Sequence, residues 1–139
     1  MQVKDAMAQT VTCAAPGDDL GAAAAAMREE AAGFLPVLDD GRLVGVITDR
    51  DIVLRWLADG GGDPHAVMVH EIMSRDPVAI GPDQDLADAA RLMSDSEVRR
   101  LPVMDGERLI GVISHGNLVQ ATAGSGPGLA ATIGVTRGA

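Results

Sequence analysis

Thr48 and Asp51 put a hydroxyl and a carboxylate three residues apart, and Ser114 and Asn117 repeat the spacing 66 residues later. The stretch before each pair, Gly45-Val46-Ile47 or Gly111-Val112-Ile113, reads as the end of a strand, and the residues after it open a helix. Two chemistries suit such a corner. A carboxylate there accepts hydrogen bonds from both hydroxyls of a ribose, while the hydroxyl and nearby backbone N–H groups meet phosphate oxygens. Alternatively, Thr-x-x-Asp and Ser-x-x-Asn cap the helix, satisfying N–H groups that its first turn leaves unpaired. Asn117 keeps a carbonyl acceptor but carries no charge, so the second corner is the weaker ribose partner.

Other chemistries find less support. His65, His70 and His115 share no spacing of the His-Glu-x-x-His kind, and Cys13, the single cysteine, allows neither an internal disulfide nor a multi-cysteine cage. No nucleophile elbow, P-loop or adjacent nucleophile–base pair occurs. The expectation is a protein that is not an enzyme and holds no metal. His115 lies inside the second corner, where it reads either as a phosphate contact or as an exposed histidine at a helix start. Cys13 reads as a buried small hydrophobe or as a redox thiol.

Composition narrows the field further. The 139 residues hold 20 acidic and 11 basic side chains, a formal charge of −9, which argues against a binder of nucleic-acid backbones. With Phe34 and Trp56 as the whole aromatic complement, base-stacking platforms are excluded. Hydrophobic residues reach 47%, enough for a core built from aliphatic side chains. The start of the chain is too polar for a signal peptide and no apolar run approaches membrane-spanning length, so a cytoplasmic location is expected.

The elements that position the two corners are two copies of one unit. Sliding the sequence by 66 positions aligns residues 3–53 with 69–119 without a gap, and 18 of the 51 pairs are identical. Each copy begins with a short apolar turn carrying Met7 or Met73, then an extended piece, Val11-Thr12-Cys13 or Val78-Ala79-Ile80. A helix follows, with Asp18 or Asp19 as N-cap in the first copy and Asp83 or Asp85 in the second. Its apolar face is Leu20, Ala23, Ala24 and Met27, matched by Leu86, Ala89, Ala90 and Met93. The Ala22–Ala26 run reads as tight helix packing, and Gly33 as the helix stop. Two strands about Asp40-Gly41 and two about Asp105-Gly106 come next. A second helix, about Asp49–Ala58 or Gly116–Ala121, closes each copy.

The fold class is α+β, from two β-α-β-β-α repeats. The copies occupy residues 1–59 and 69–121, with Gly60-Gly61-Gly62-Asp63-Pro64 in a linker over 60–68 and a flexible Gly-rich tail over 122–139.

Two tandem Leu-Pro-Val strands, each followed by Gly-Val-Ile-Thr/Ser-x-x-Asp/Asn, resemble a pair of cystathionine-β-synthase (CBS) domains. The likeness runs from residue 3 to about 121, and the first half is similar to small stand-alone actinobacterial proteins of the hypoxic response type. It implies a pseudo-twofold module, commonly homodimeric, with clefts between its repeats that take AMP, ADP, ATP or S-adenosylmethionine as an energy or stress sensor acting on another protein. No obligatory cofactor, nucleic acid or membrane partner is implied. A ligand-free interaction or stress scaffold of the same fold is the alternative. By position, the adenine slot would fall to Thr12 and Cys13 with Phe34 and Leu35, and to Val78 and Ala79 with Arg100 and Leu101. All of these equally suit an ordinary core. Arg99-Arg100 resembles the phosphate-holding basic pair of the regulatory γ subunit of AMP-activated kinase, or else balances Asp95 and Glu97 in solvent. Helix faces at Leu86–Met93 and Ile52–Leu57, with Trp56, are the candidate dimer surfaces.

Overall fold

A computed structural model describes residues 1–123; of the tail expected over 122–139, Thr122 and Ala123 are helical, and the rest lies outside the described residues. In chain order the elements begin with α1 (Val3–Ala6), α2 (Leu20–Glu30), β1 (Phe34–Asp39), β2 (Arg42–Thr48) and α3 (Asp49–Asp51). The last runs directly into a π-helix, Ile52–Leu57, and a 3-10 turn over Pro64–Ala66 follows. Then come α4 (Val69–Ile72), β3 (Ser74–Arg75), α5 (Leu86–Ser96), β4 (Arg100–Asp105), β5 (Arg108–Ser114) and α6 (His115–Ala123).

Packing divides the chain into two bodies, Thr12–Pro77 and Met1–Val11 joined with residues from Val78 onward. The partition is offset from the duplication: each body takes the lead-in segment of the other copy. In the first body, β3 pairs antiparallel with β2, setting Ser74 opposite Val46. In the second, Ala8 takes the corresponding place opposite Val112. Both approaches need glycine, but not for its torsional freedom. A Cβ on Gly45 would stand 2.6 Å from the Ser74 carbonyl oxygen, and one on Gly111 2.7 Å from that of Ala8.

The hairpins carry the sheet registers. β1 and β2 set Phe34 opposite Thr48; β4 and β5 set Arg100 opposite Ser114. Asp40 and Gly41 both have positive φ, 53° and 82°, as a two-residue type I′ turn requires. The second turn is Gly106-Glu107 rather than Asp105-Gly106, because Asp105 stays in the ladder opposite Arg108. The expected extended pieces reduce to single parallel bridges, Ala14 with Val37 and Ile80 with Val103.

Asp19 and Asp85 are the N-caps of α2 and α5. Of each predicted apolar face, three positions turn inward: Leu20, Ala23 and Met27, and Leu86, Ala89 and Met93. Ala24 and Ala90 face solvent, as does Ala22 of the alanine run. Helix α2 stops at Ala31, in the left-handed region at φ 53°, and not at Gly33. Gly33 instead makes room for the corner that follows. Its carbonyl accepts the Asp49 N–H at 3.0 Å, and its missing Cβ leaves space for the Asp49 carboxylate. The expected second helix is α-helical for one turn and then π-helical, with Ala58 N–H donating to the Val53 carbonyl five residues back.

Each body has its own core. Leu20, Met27, Leu35, Val37, Ile47 and Val69 centre the first, and Val3, Ala89, Met93, Leu101, Val103 and Ile113 the second.

Candidate functional site

Strand β2 ends at Thr48, and the chain turns there into α3. The Asp51 N–H donates to Thr48 Oγ1 at 3.0 Å, and the Thr48 N–H donates to Asp51 Oδ2 at 3.0 Å. Ser114 and Asn117 repeat this reciprocal cap at 3.0 and 2.9 Å. Both corners are thus complete helix caps, as one of the two sequence readings holds. They differ in what remains. Asn117 accepts the Ser114 N–H on its carbonyl oxygen, which keeps one lone pair on a neutral group, and its NH2 group is a donor. Asp51 keeps a second oxygen, Oδ1, which is an acceptor and charged.

That oxygen is not idle. Ser74 Oγ donates to Asp51 Oδ1 at 3.1 Å, and Arg55 Nε stands 3.8 Å from the same atom. Asp51 is 8% exposed, the one charged side chain among the buried described residues. The Arg55 guanidinium donates onward to the carbonyls of Ile72 and Met73, at 3.1 and 3.0 Å, where α4 ends. A buried carboxylate is held when its lone pairs are satisfied and a cation stands near. Sequence reading missed both partners. Arg55 carried a signal, since i+4 on a helix faces i, but Ser74 lies 23 residues from Asp51 and left none.

The other predicted residues divide. Phe34, half-buried, sits opposite Thr48, and Arg100, half-buried, opposite Ser114. Leu35 and Leu101 are core side chains. Thr12 Oγ1 donates to Glu30 at 2.7 Å. Cys13 is half-buried, and burial raises its thiol pKa, which lowers its thiolate fraction and its reactivity. Ala79 is half-buried and Val78 exposed. Arg99 is exposed, and its carbonyl accepts the His115 N–H at 2.7 Å. Among the described residues, neither Arg99 nor Arg100 enters an ion pair. His115 is not the exposed helix-start residue of one reading. It is half-buried, its Nδ1 is enclosed without a hydrogen-bond partner, and it lines a groove of about 580 Å³ between α5 and α6. Trp56 packs on the first core, its Nε1 likewise enclosed and unpaired. His65 Nδ1 lies 3.0 Å from Asp19. No group of three or more His, Cys, Asp or Glu side chains suited to a metal occurs among the described residues, nor any helix long and apolar enough to cross a membrane.

Two hairpin-centred repeats, each ending in the same strand-to-helix corner, define a CBS domain pair, and the chain belongs to the CBS domain family, whose profile matches residues 3–57 and 69–124. It is 39% identical over 118 residues to the CBS domain-containing protein YhcV of Bacillus subtilis, covering 84% of this chain and 81% of that protein. It is 35% identical to hypoxic response protein 1 of Mycobacterium tuberculosis, covering 84% and 82%. Among solved structures, that of hypoxic response protein I with two coordinated zinc ions superposes with a TM-score of 0.78 at 34% identity, over 86% of this chain and 98% of that one. CBSX2 in complex with AMP gives 0.79 at 30% identity, over 88% and 97%. The CBS domain pair of protein MJ0100, in complex with 5-methylthioadenosine and S-adenosyl-L-methionine, gives 0.81 at 26%, over 91% and 98%.

Proposed function

We propose that this chain is a regulatory module, not an enzyme, that binds an adenosyl ligand at the Thr48–Asp51 corner and acts as a cytoplasmic energy or stress sensor on another protein. One observation carries the reading. The buried Asp51 carboxylate already holds an alcohol, the Ser74 hydroxyl, on its second oxygen. A ribose offers the same group. The solved relatives described with AMP, or with 5-methylthioadenosine and S-adenosyl-L-methionine, support the ligand class. In this reading Thr12, Cys13 and Phe34 flank the base; at the second corner Val78, Ala79 and Leu101 hold the corresponding places, and Arg99 and Arg100, free of carboxylate partners among the described residues, receive phosphates bound there. A thermal-shift panel of AMP, ADP, ATP, NAD and S-adenosylmethionine tests it. A ligand at 100 times its dissociation constant stabilises the fold by about 2.7 kcal/mol.

The molecule is further proposed to be a homodimer. Val53, Leu54 and Leu57 expose 49–58% of their surface on the π-helix, an apolar stripe suited to burial against a second copy. The same stripe favours the scaffold reading, in which the corners are caps alone; a panel in which no ligand shifts melting selects it.

A further inference from the structure

We infer that Ser74 is an internal competitor for the ribose subsite, and that displacing it is how occupancy of Asp51 reaches β3. The inference rests on the adenosyl reading above. A vicinal diol binds a carboxylate best when it reaches both oxygens, one hydroxyl to each. In this corner Oδ2 takes the Thr48 N–H and Oδ1 takes the Ser74 hydroxyl. Each oxygen has two lone pairs: the Thr48 N–H leaves one open on Oδ2, whereas on Oδ1 the Ser74 hydroxyl takes one and Arg55 Nε stands 3.8 Å from the atom, so a ribose hydroxyl arriving at Oδ1 exchanges with that of the serine, which loses a charged acceptor. Arg55 remains tied to the Ile72 and Met73 carbonyls while its Nε faces the same oxygen. Ser74 is one of the two residues of β3, held to β2 at Val46 and Gly45. Loss of its side-chain bond leaves this sheet edge held by its pairing with β2 and by Arg55 at the Met73 carbonyl. The second corner has no such competitor. Ala8 occupies the position that corresponds to Ser74, and Ala121 the one that corresponds to Arg55.

The test has a ligand-free arm and a ligand arm. A double-mutant cycle of Ser74→Ala and Asp51→Asn on urea unfolding measures whether the two side chains interact. Asparagine keeps the carbonyl cap that Asn117 makes in the other copy, so this variant retains the corner. The expected result is non-additive unfolding midpoints; additive midpoints overturn the inference whatever binds. Calorimetry then compares AMP with 2′,3′-dideoxyadenosine monophosphate on wild type and Ser74→Ala. The expected result is AMP binding about tenfold tighter in Ser74→Ala, with dideoxy binding unchanged, the size following from the low end of a competing hydrogen bond to a charged group. Equal or weaker AMP binding overturns the competition while leaving the adenosyl reading standing, and so does equal tightening of the dideoxy compound. If AMP and the rest of the panel bind neither protein, the adenosyl reading fails first and the competition falls with it.

Discussion

At Asp51 and Asn117 one atom separates two similar corners. Each residue spends one oxygen on the backbone N–H three positions earlier. What is left is a second, charged carboxylate oxygen in one copy, and in the other a neutral amide with its NH2 donor and one carbonyl lone pair. Hydrogen bonds to charged groups contribute about 1.5–3 kcal/mol, against about 1 kcal/mol for neutral ones. Calorimetry with adenosine should therefore find Asp51→Asn weakened by roughly tenfold and Asn117→Ala nearly unchanged. An Asn117→Ala loss as large as that of Asp51→Asn would mean that the second corner holds the ribose. For a ligand bound at the second corner, Arg100→Ala should weaken ATP more than adenosine, since a guanidinium opposite Ser114 adds to phosphate binding alone. The Thr-x-x-Asp spacing was legible because capping and ribose chemistry both act within one turn of chain. The Ser74–Asp51 bond was not, because nothing local in Met73-Ser74-Arg75 marks a partner 23 residues away.

For the helices, beginnings were legible and ends were not. Asp19 announces α2 because an N-cap acts through its own side chain: the Ala22 N–H donates to it at 2.7 Å. That bond, together with His65, holds the Asp19 carboxyl below its ordinary pKa. A depressed folded pKa gives stability that is complete above the unfolded value, about 4, and is lost as pH falls through the lower folded value. Asp19→Ala should thus lower the melting temperature at pH 7, and thermal scans should show the gap to wild type closing below about pH 4. The stop at Ala31 was hidden, since alanine is the best helix former and carries no terminator signal. Its left-handed backbone, like that of Glu97 after α5, is set by the turn into the following strand. Ala31→Gly should stabilise the protein by about 0.5–1 kcal/mol, measured by urea unfolding, because removing Cβ strain outweighs the added freedom of the unfolded chain. The π-helix after α3 was equally invisible. Within it Arg55 reaches α4 and Trp56 reaches the core, long-range contacts that the local sequence does not mark.

For the molecule as a whole, the duplication was plain in the alignment, whereas the exchange of lead-in segments was not, because identity between copies does not reveal which copy a segment packs on. Leu54→Glu with Leu57→Glu places two charges on the exposed π-helical stripe. Sedimentation at micromolar concentration should find wild type as a dimer and this variant as a monomer with the wild-type circular dichroism; a wild type found as a monomer would refute the assembly. The exchange itself has a consequence for synthesis. The body Thr12–Pro77 is one unbroken stretch, and everything it needs has left the ribosome once Pro77 is out. The other body begins with Val3, whose N–H donates to Gln84, and with Met7 and Ala8, whose partners at Gly111 and Val112 are made roughly a hundred residues later. Of the two bodies, the segment translated first is the last to be housed, and until β5 emerges its apolar side chains are what a nascent-chain chaperone would find.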